Sequence, residues 1–125
     1  MRKQTYTLAG ATIALVAILL LRAQDPVKVD QKHYKVLFEN EQVRVLRIQY
    51  APGDKSPMHQ HPDSVAVFLS DQRAKFTYPD GKSEEISAKA GEARWTPAGT
   101  HQPENVGDKP LELVLVELKG KAEKK

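Results

Sequence analysis

The strongest constraint on this chain is the shortness of its apolar runs and the regularity with which turn residues interrupt them. Past residue 33 the sequence reads YKVLF (34–38), VRVLRIQY (43–50), SVAVFLS (64–70), AKFTY (74–78), SEEIS (83–87), EARWT (92–96) and LELVLVEL (111–118). Between these runs lie ENEQ, APGD, PDGK, PAG and VGDKP, whose polar, Gly and Pro residues favour reversals. The last run alternates strictly, with Leu111, Leu113 and Leu115 on one face and Val114, Val116 and Leu118 on the other. Helical spacing is not sustained anywhere past residue 24. About seven or eight short strands in roughly 90 residues, with PDGK closing a hairpin, imply a compact antiparallel sandwich or barrel that hides its strand edges.

A length of 125 residues allows one domain. The absence of cysteine excludes a disulfide-stapled scaffold, a thiolate nucleophile and a zinc finger, so packing must hold the fold. The net charge of +3 invites a nucleic-acid reading, but three of the 19 basic residues (Arg2, Lys3 and Arg22) lie in the first 23 positions, which carry no acid. The remainder holds 16 basic against 16 acidic residues, with no basic stripe to attract phosphates.

Those first 23 positions have their own pattern. Arg2 and Lys3 precede the uncharged stretch Gln4–Leu21, whose apolar heart is LAGATIALVAILLL, residues 8–21. At 1.5 Å per residue a helix of that length spans roughly 21 Å, short of the roughly 30 Å hydrocarbon slab. A cleavable signal peptide ending at Ala23 fits better than a spanning helix, with an uncleaved inner-membrane anchor as the alternative, because Leu21 stands where a small residue is preferred. Either reading places the rest of the chain outside the cytoplasm, periplasmic or secreted. The expected organisation is a signal or anchor over 1–23, a linker over 24–32, a β-barrel over 33–119 and a solvated charged tail over 120–125.

Three of the four histidines fall in two Gly- and Pro-marked segments. The first runs from Gly53 through His59-Gln60-His61; in an extended chain residues two apart share a face, so both imidazoles point the same way. The second runs from Gly91 through Pro97, Gly99 and His101 to Asn105, with a turn just before His101. A hairpin-rich barrel can bring His101 opposite the pair, giving three nitrogen ligands with open positions, as in a catalytic rather than a structural metal centre. His33, in QKHYK, stands alone and reads as a strand-entry residue.

On these residues the chain resembles the cupins, all-β proteins built as a small antiparallel double-stranded jelly-roll barrel whose two motifs line one barrel mouth. Gly53, His59 and His61 match the first motif in register, and Gly91, Pro97, Gly99, His101 and Asn105 match the second with one residue fewer between Gly99 and His101. The resemblance covers residues 35–118 and implies a divalent ion, Fe, Mn, Zn, Ni or Cu, on His59, His61 and His101, with a homodimer through exchanged strands. Two features depart from the pattern. The acidic ligand expected at position 65 or 66 is replaced by Val65 and Ala66, and the closing Gly of the first motif is missing near Gln72. Three neutral ligands leave the ion's charge uncompensated, which weakens affinity without abolishing it.

Around these ligands, Asp63 is the nearest acid, suited to capping or solvent contact more than to the ion. Gln102 and Glu104 flank His101 and can orient its imidazole, and Asn105 can tie a loop. Trp95 and Phe76 are expected in the core, with the alternative that their rings line a small-molecule pocket; only one of Arg94 and Trp95 can face inward. Two functional classes remain open: a metalloenzyme of oxygenase or Lewis-acid type, and a non-catalytic small-molecule-binding or structural module without a metal. A small-molecule ligand and no nucleic acid are the expected partners, with membrane contact only through residues 4–21.

Overall fold

The computed structural model describes residues 24–120 of the chain. Among them are one helical turn, α1 (Pro26–Val29), and nine strands: β1 (Tyr34–Glu39), β2 (Val43–Tyr50), β3 (His59–His61), β4 (Ser64–Phe68), β5 (Gln72–Thr77), β6 (Ser83–Ala88), β7 (Ala93–Thr96), β8 (Gly99–Asn105) and β9 (Leu111–Leu118). They form two antiparallel sheets, one of five strands in the order β1-β2-β9-β4-β7 and one of four in the order β3-β8-β5-β6. Every strand anticipated from apolar alternation is present. The two not anticipated, HQH and GTHQPEN, carry the histidines and hold a single β-branched residue between them, Thr100, too little to mark a strand in sequence.

Alternation decides what the sheets enclose. Leu46, Ile48 and Tyr50 of β2, Ala66 and Phe68 of β4, and Leu111 and Leu115 of β9 point inward, where they meet Ala74 of β5 and Ala88 of β6. Burying one such large apolar side chain contributes about 1.5–3 kcal/mol. Asn105 fastens the end of β8: its amide donates to the carbonyls of Tyr50 (3.2 Å) and Lys109 (2.8 Å), and its side-chain oxygen accepts from Gly107 N–H at 3.0 Å. Gly53, with φ of 82°, takes a left-handed turn and donates its N–H to the Asn105 carbonyl at 3.0 Å, aiming the chain toward β3.

Two expectations are corrected. Trp95 is not in the core: β7 turns Arg94 and Thr96 inward and leaves Trp95 56% exposed on the outer face of the sheet, while the Arg94 guanidinium lies 5.4 Å from the Phe68 ring centre. Nor is every edge hidden, since β1 borders the five-stranded sheet with Val36, Leu37 and Phe38 exposed beside a bulge.

The stretch read as a linker also has structure. Asp25 caps α1 by accepting from Val27 N–H at 2.9 Å, Pro26 is buried, and α1 packs on β1 and β3. No helix among the described residues is long and apolar enough to cross a membrane, and the apolar segment over 1–23 lies outside those residues.

Candidate metal centre

Strand pairing builds the site. β3 runs antiparallel to β8 with His59 directly opposite His101 and His61 opposite Gly99. His59 and His61 share the inner face of β3, and His101 completes a triangle from across the ladder. The ring centres are 4.8 Å (His59–His61), 5.1 Å (His59–His101) and 5.2 Å (His61–His101) apart, with the planes inclined at 88°, 86° and 74°. One nitrogen from each ring lies within 4.8 Å of the others. Stacked rings would present faces to each other; rings so inclined can turn their nitrogen lone pairs toward one point.

Hydrogen bonds select which nitrogen is free. His59 Nδ1 is 2.9 Å from the Pro57 carbonyl, an acceptor only, so Nδ1 carries the proton and Nε2 the lone pair. His61 Nδ1 donates to Glu117 Oε2 at 2.7 Å, which again leaves Nε2 as the ligand atom. His101 Nε2 is buried and has no hydrogen-bond partner among the described residues. An unsatisfied buried polar atom costs about 1–3 kcal/mol. A cation held among the three nitrogens removes that penalty, so the residues present fit a metal ion.

The surroundings favour neutral ligands. Burial, reinforced by the neighbouring histidines, lowers the His101 imidazole to about 3, and burial with the His61 charge lowers His59 to about 4. Both rings are therefore deprotonated and ready to coordinate at neutral pH.

The missing acid of the first motif has a counterpart elsewhere. Ala66 points into the core and Val65 faces away from it, but Glu117 of β9 is 2% exposed and bonded to His61. Arg44 Nε donates to its other oxygen at 2.6 Å, and Arg44 in turn forks onto Asp25 at 2.8 and 3.1 Å. Burial pushes the Glu117 carboxyl up, yet the hydrogen bonds and charges of His61 and Arg44 outweigh it and hold the group below its ordinary range. Glu117 is thus an anion behind a ligand rather than a ligand. The signal for it was continuation of the β9 alternation: residue 117 falls on the face of Leu111, Leu113 and Leu115, where a carboxylate has no place without a partner.

His33 is not alone, as its sequence context suggested. Its Nδ1 lies 2.8 Å from both oxygens of Asp30, its Nε2 lies 2.8 Å from Asp54 Oδ2, and its ring stacks on Tyr50 at 4.3 Å. Ser56 links this cluster to the centre, donating to Asp30 at 2.5 Å and lying 3.2 Å from His59 Nδ1. Tyr34 adds a phenol 3.1 Å from His59 Nε2 and 2.6 Å from the Tyr50 hydroxyl. Burial raises both phenols well above their ordinary range, so they stay protonated.

A cavity of about 160 Å³ adjoins the histidines. His61, His101, Tyr34 and Tyr50 line part of it; Phe68, Phe76, Ile48, Leu113 and other apolar side chains line most of the rest. Its size matches a cavity that holds a benzene-sized molecule. The Phe76 ring sits 4.6 Å from the His101 ring, half-buried in the wall. Gln102 and Glu104 alternate away from His101 along β8 and make no hydrogen bond to the histidines, although Glu104 borders the cavity. Asp63 caps a turn instead, accepting from Ala98 N–H at 2.7 Å. Trp95 touches the cavity's border from its exposed position.

A family model described as a cupin domain matches residues 46–117. Among solved structures, a cupin-domain protein of Bordetella pertussis is 27% identical with a TM-score of 0.65, the match covering 70% of this chain and 92% of that one. A conserved Klebsiella pneumoniae protein with a double-stranded β-helix domain is 23% identical over 75% of this chain and 84% of that one, with a TM-score of 0.57. A Bacillus halodurans protein is 21% identical over 80% of each chain, with a TM-score of 0.56. No curated protein matches the sequence.

Proposed function

The chain belongs to the cupin-domain family, and from that premise we propose that it binds a divalent metal ion through His59, His61 and His101 and holds a small, mainly apolar molecule beside it. The observation that carries this reading is the buried Nε2 of His101, without a hydrogen-bond partner among the described residues, facing two histidines whose Nδ1–H groups donate to acceptors behind them and so turn Nε2 lone pairs to the centre. Three neutral imidazoles suit Fe, Mn, Zn, Ni or Cu. A bound ion would supply Lewis-acid polarisation, or redox chemistry with dioxygen, at its open positions.

The chain's own residues perform the remaining tasks. The apolar wall around Phe68, Phe76 and Leu113 excludes water and favours an uncharged guest. Tyr34, kept protonated, stands 3.1 Å from His59 Nε2, and once an ion takes that lone pair its O–H can turn to a polar atom of the guest. Arg94 borders the cavity but is already engaged by Glu92 at 2.7 Å, which disfavours an anionic ligand.

Oxygenase or Lewis-acid turnover is the enzymatic form of this reading. A second form, a binding module without turnover, is favoured by one observation: among the described residues Glu104 is the only carboxylate on the cavity wall, and it alternates away from the histidines. Elemental analysis of untagged protein tests metal binding, and spectra of the Co(II)-loaded protein with phenol-sized molecules test the pocket. Near-stoichiometric metal with no spectral response to any such molecule leaves the metal site and removes the pocket assignment.

We also read residues 1–23 as an export signal or uncleaved anchor, supported by the basic start and apolar run, and testable by periplasmic fractionation. A homodimer is supported by a cross-sheet row, Phe38, Val45, Val116, Val65 and Trp95, in register on the outer face of the five-stranded sheet. Its exposed ends, Phe38 and Trp95, leave apolar surface that a second copy would cover.

A further inference from the structure

The segment ahead of β1 reaches the histidine cluster from two directions. Asp25 and Asp30 flank the single turn α1. From Asp25 the contacts run through Arg44 and Glu117 to His61 Nδ1, with steps of 2.8, 2.6 and 2.7 Å. From Asp30 they run through Ser56 to His59 Nδ1, with steps of 2.5 and 3.2 Å. Between the two, the Gln24 carbonyl accepts from the backbone N–H of Gln60, the residue separating those histidines, at 3.0 Å. His33 holds Asp30 in place by its bonds to both carboxylate oxygens.

Each chain of contacts has a direction imposed by chemistry. Arg44 has only donors, so Glu117 and Asp25 must accept from it, and Glu117 is left to accept from His61 Nδ1–H. The Ser56 hydroxyl donates to Asp30 and so meets His59 Nδ1–H with its lone pair. Both chains therefore hold a proton on Nδ1 and a lone pair on Nε2, the state a ligand imidazole requires.

We propose that the amino-terminal arm, Gln24–His33, is a positioning element of the metal centre, with Asp25, through Arg44 and Glu117, and Asp30, through Ser56, holding His61 and His59 in the coordinating orientation. The proposal rests on the metal-binding reading of the three histidines. Its distinctive content is that metal affinity depends on a segment that contributes no ligand and precedes the first strand.

The test uses the full chain and the variants Asp25→Asn, Asp30→Asn and the double variant. Zn(II) affinity is measured by competition with a chromophoric chelator, and imidazole ¹⁵N shifts of the metal-free proteins are recorded. Loss of an outer-shell partner typically lowers metal affinity 10- to 100-fold, so each single change, one bond further out, should weaken Zn(II) binding by about 10-fold and the double change by more. The metal-free spectra should show His59 and His61 as Nδ1–H tautomers in the wild type, and in Asp30→Asn a displaced His59 Nδ1 resonance as the Ser56 contact loosens while the Pro57 carbonyl still accepts its proton. Asp25→Glu, which keeps the charge, should recover most of the affinity lost in Asp25→Asn.

Circular dichroism at the titration temperature confirms that each variant is folded; if Asp30→Asn is not, Ser56→Ala cuts the same chain from the other side and takes its place. Unchanged affinity and unchanged ¹⁵N shifts in folded variants would overturn the arm's role while leaving the three-histidine site standing. A wild type that binds no Zn(II) yet keeps both tautomers would instead remove the metal reading.

Discussion

Glu117 and His61, 56 positions apart in the chain, meet at 2.7 Å in a buried bond that sets an anion one step behind the three-histidine cluster. Replacing Glu117 by Gln keeps the shape but removes the charge and leaves Arg44 with one anionic partner in place of two. Divalent-metal affinity should fall by about 10- to 100-fold, as outer-shell losses generally do. Isothermal titration with Zn(II) or Co(II) reads this directly, and an unchanged Kd would show that the carboxylate serves the fold alone.

The metal-free protein should lose stability on mild acidification. His59 and His101 have lowered pKa values, about 4 and about 3, against 6.5 for an unfolded histidine. Above pH 6.5 both states bind no proton at these rings and nothing is lost. As the pH falls below 6.5 the unfolded chain takes up protons that the folded one refuses, and stability declines until the folded values are reached. Glu117 and Asp25, both lowered, add to the decline only below about pH 4.5. Between pH 7 and 5 the two rings together withdraw about 3–4 kcal/mol, so the Tm should drop by on the order of 10–20 °C. His101→Phe should flatten that slope; a slope equal to the wild type's would place the titration elsewhere.

Removing His33 should be costly although it touches no metal-binding nitrogen. His33→Ala leaves Asp30 buried with only Ser56 as partner and empties the stacking space on Tyr50. Leaving a buried carboxylate oxygen without its hydrogen-bond partner costs about 1–3 kcal/mol, and the lost stacking adds to it. Urea denaturation monitored by Trp95 fluorescence would measure it, and a loss under about 1 kcal/mol would mean that the cluster relaxes without strain.

On the outer sheet face, Phe38→Ser and Trp95→Ser should each change monomer stability by no more than about 0.5 kcal/mol, because both side chains are more than half exposed. Together they should shift the protein from dimer to monomer in sedimentation equilibrium. A wild type that sediments as a monomer would dispose of the dimer, and the apolar row would need another occupant.

The legibility of this chain follows its chemistry. Branched and aromatic residues announced β1, β2, β4 and β9, and turn residues bounded them, because backbone preference and burial act together there. HQH and GTHQ gave no such signal, since their extended conformation is imposed by pairing with each other. The three histidines were readable from spacing; what stands behind them was not. Arg44 meets Glu117 across 73 positions, and His33 meets Asp54 across 21, distances over which sequence carries no periodic trace. Asp30 and His33, three apart, were close enough to be suspected, but only the fold shows that both are buried. Trp95 misled because size and apolarity point inward, whereas the parity of β7 gave the inward place to Arg94.

The central claim is that His59, His61 and His101 share one ion. The most direct test is elemental analysis of untagged wild-type protein and of His101→Ala, purified side by side without chelator. Close to one equivalent of a first-row divalent metal is expected in the wild type and a loss of most of it in the variant, with both proteins folded by circular dichroism. A wild type with no metal, even after incubation with Fe(II), Mn(II), Zn(II), Ni(II) or Cu(II), would contradict it; so would a His101→Ala protein that keeps the full complement.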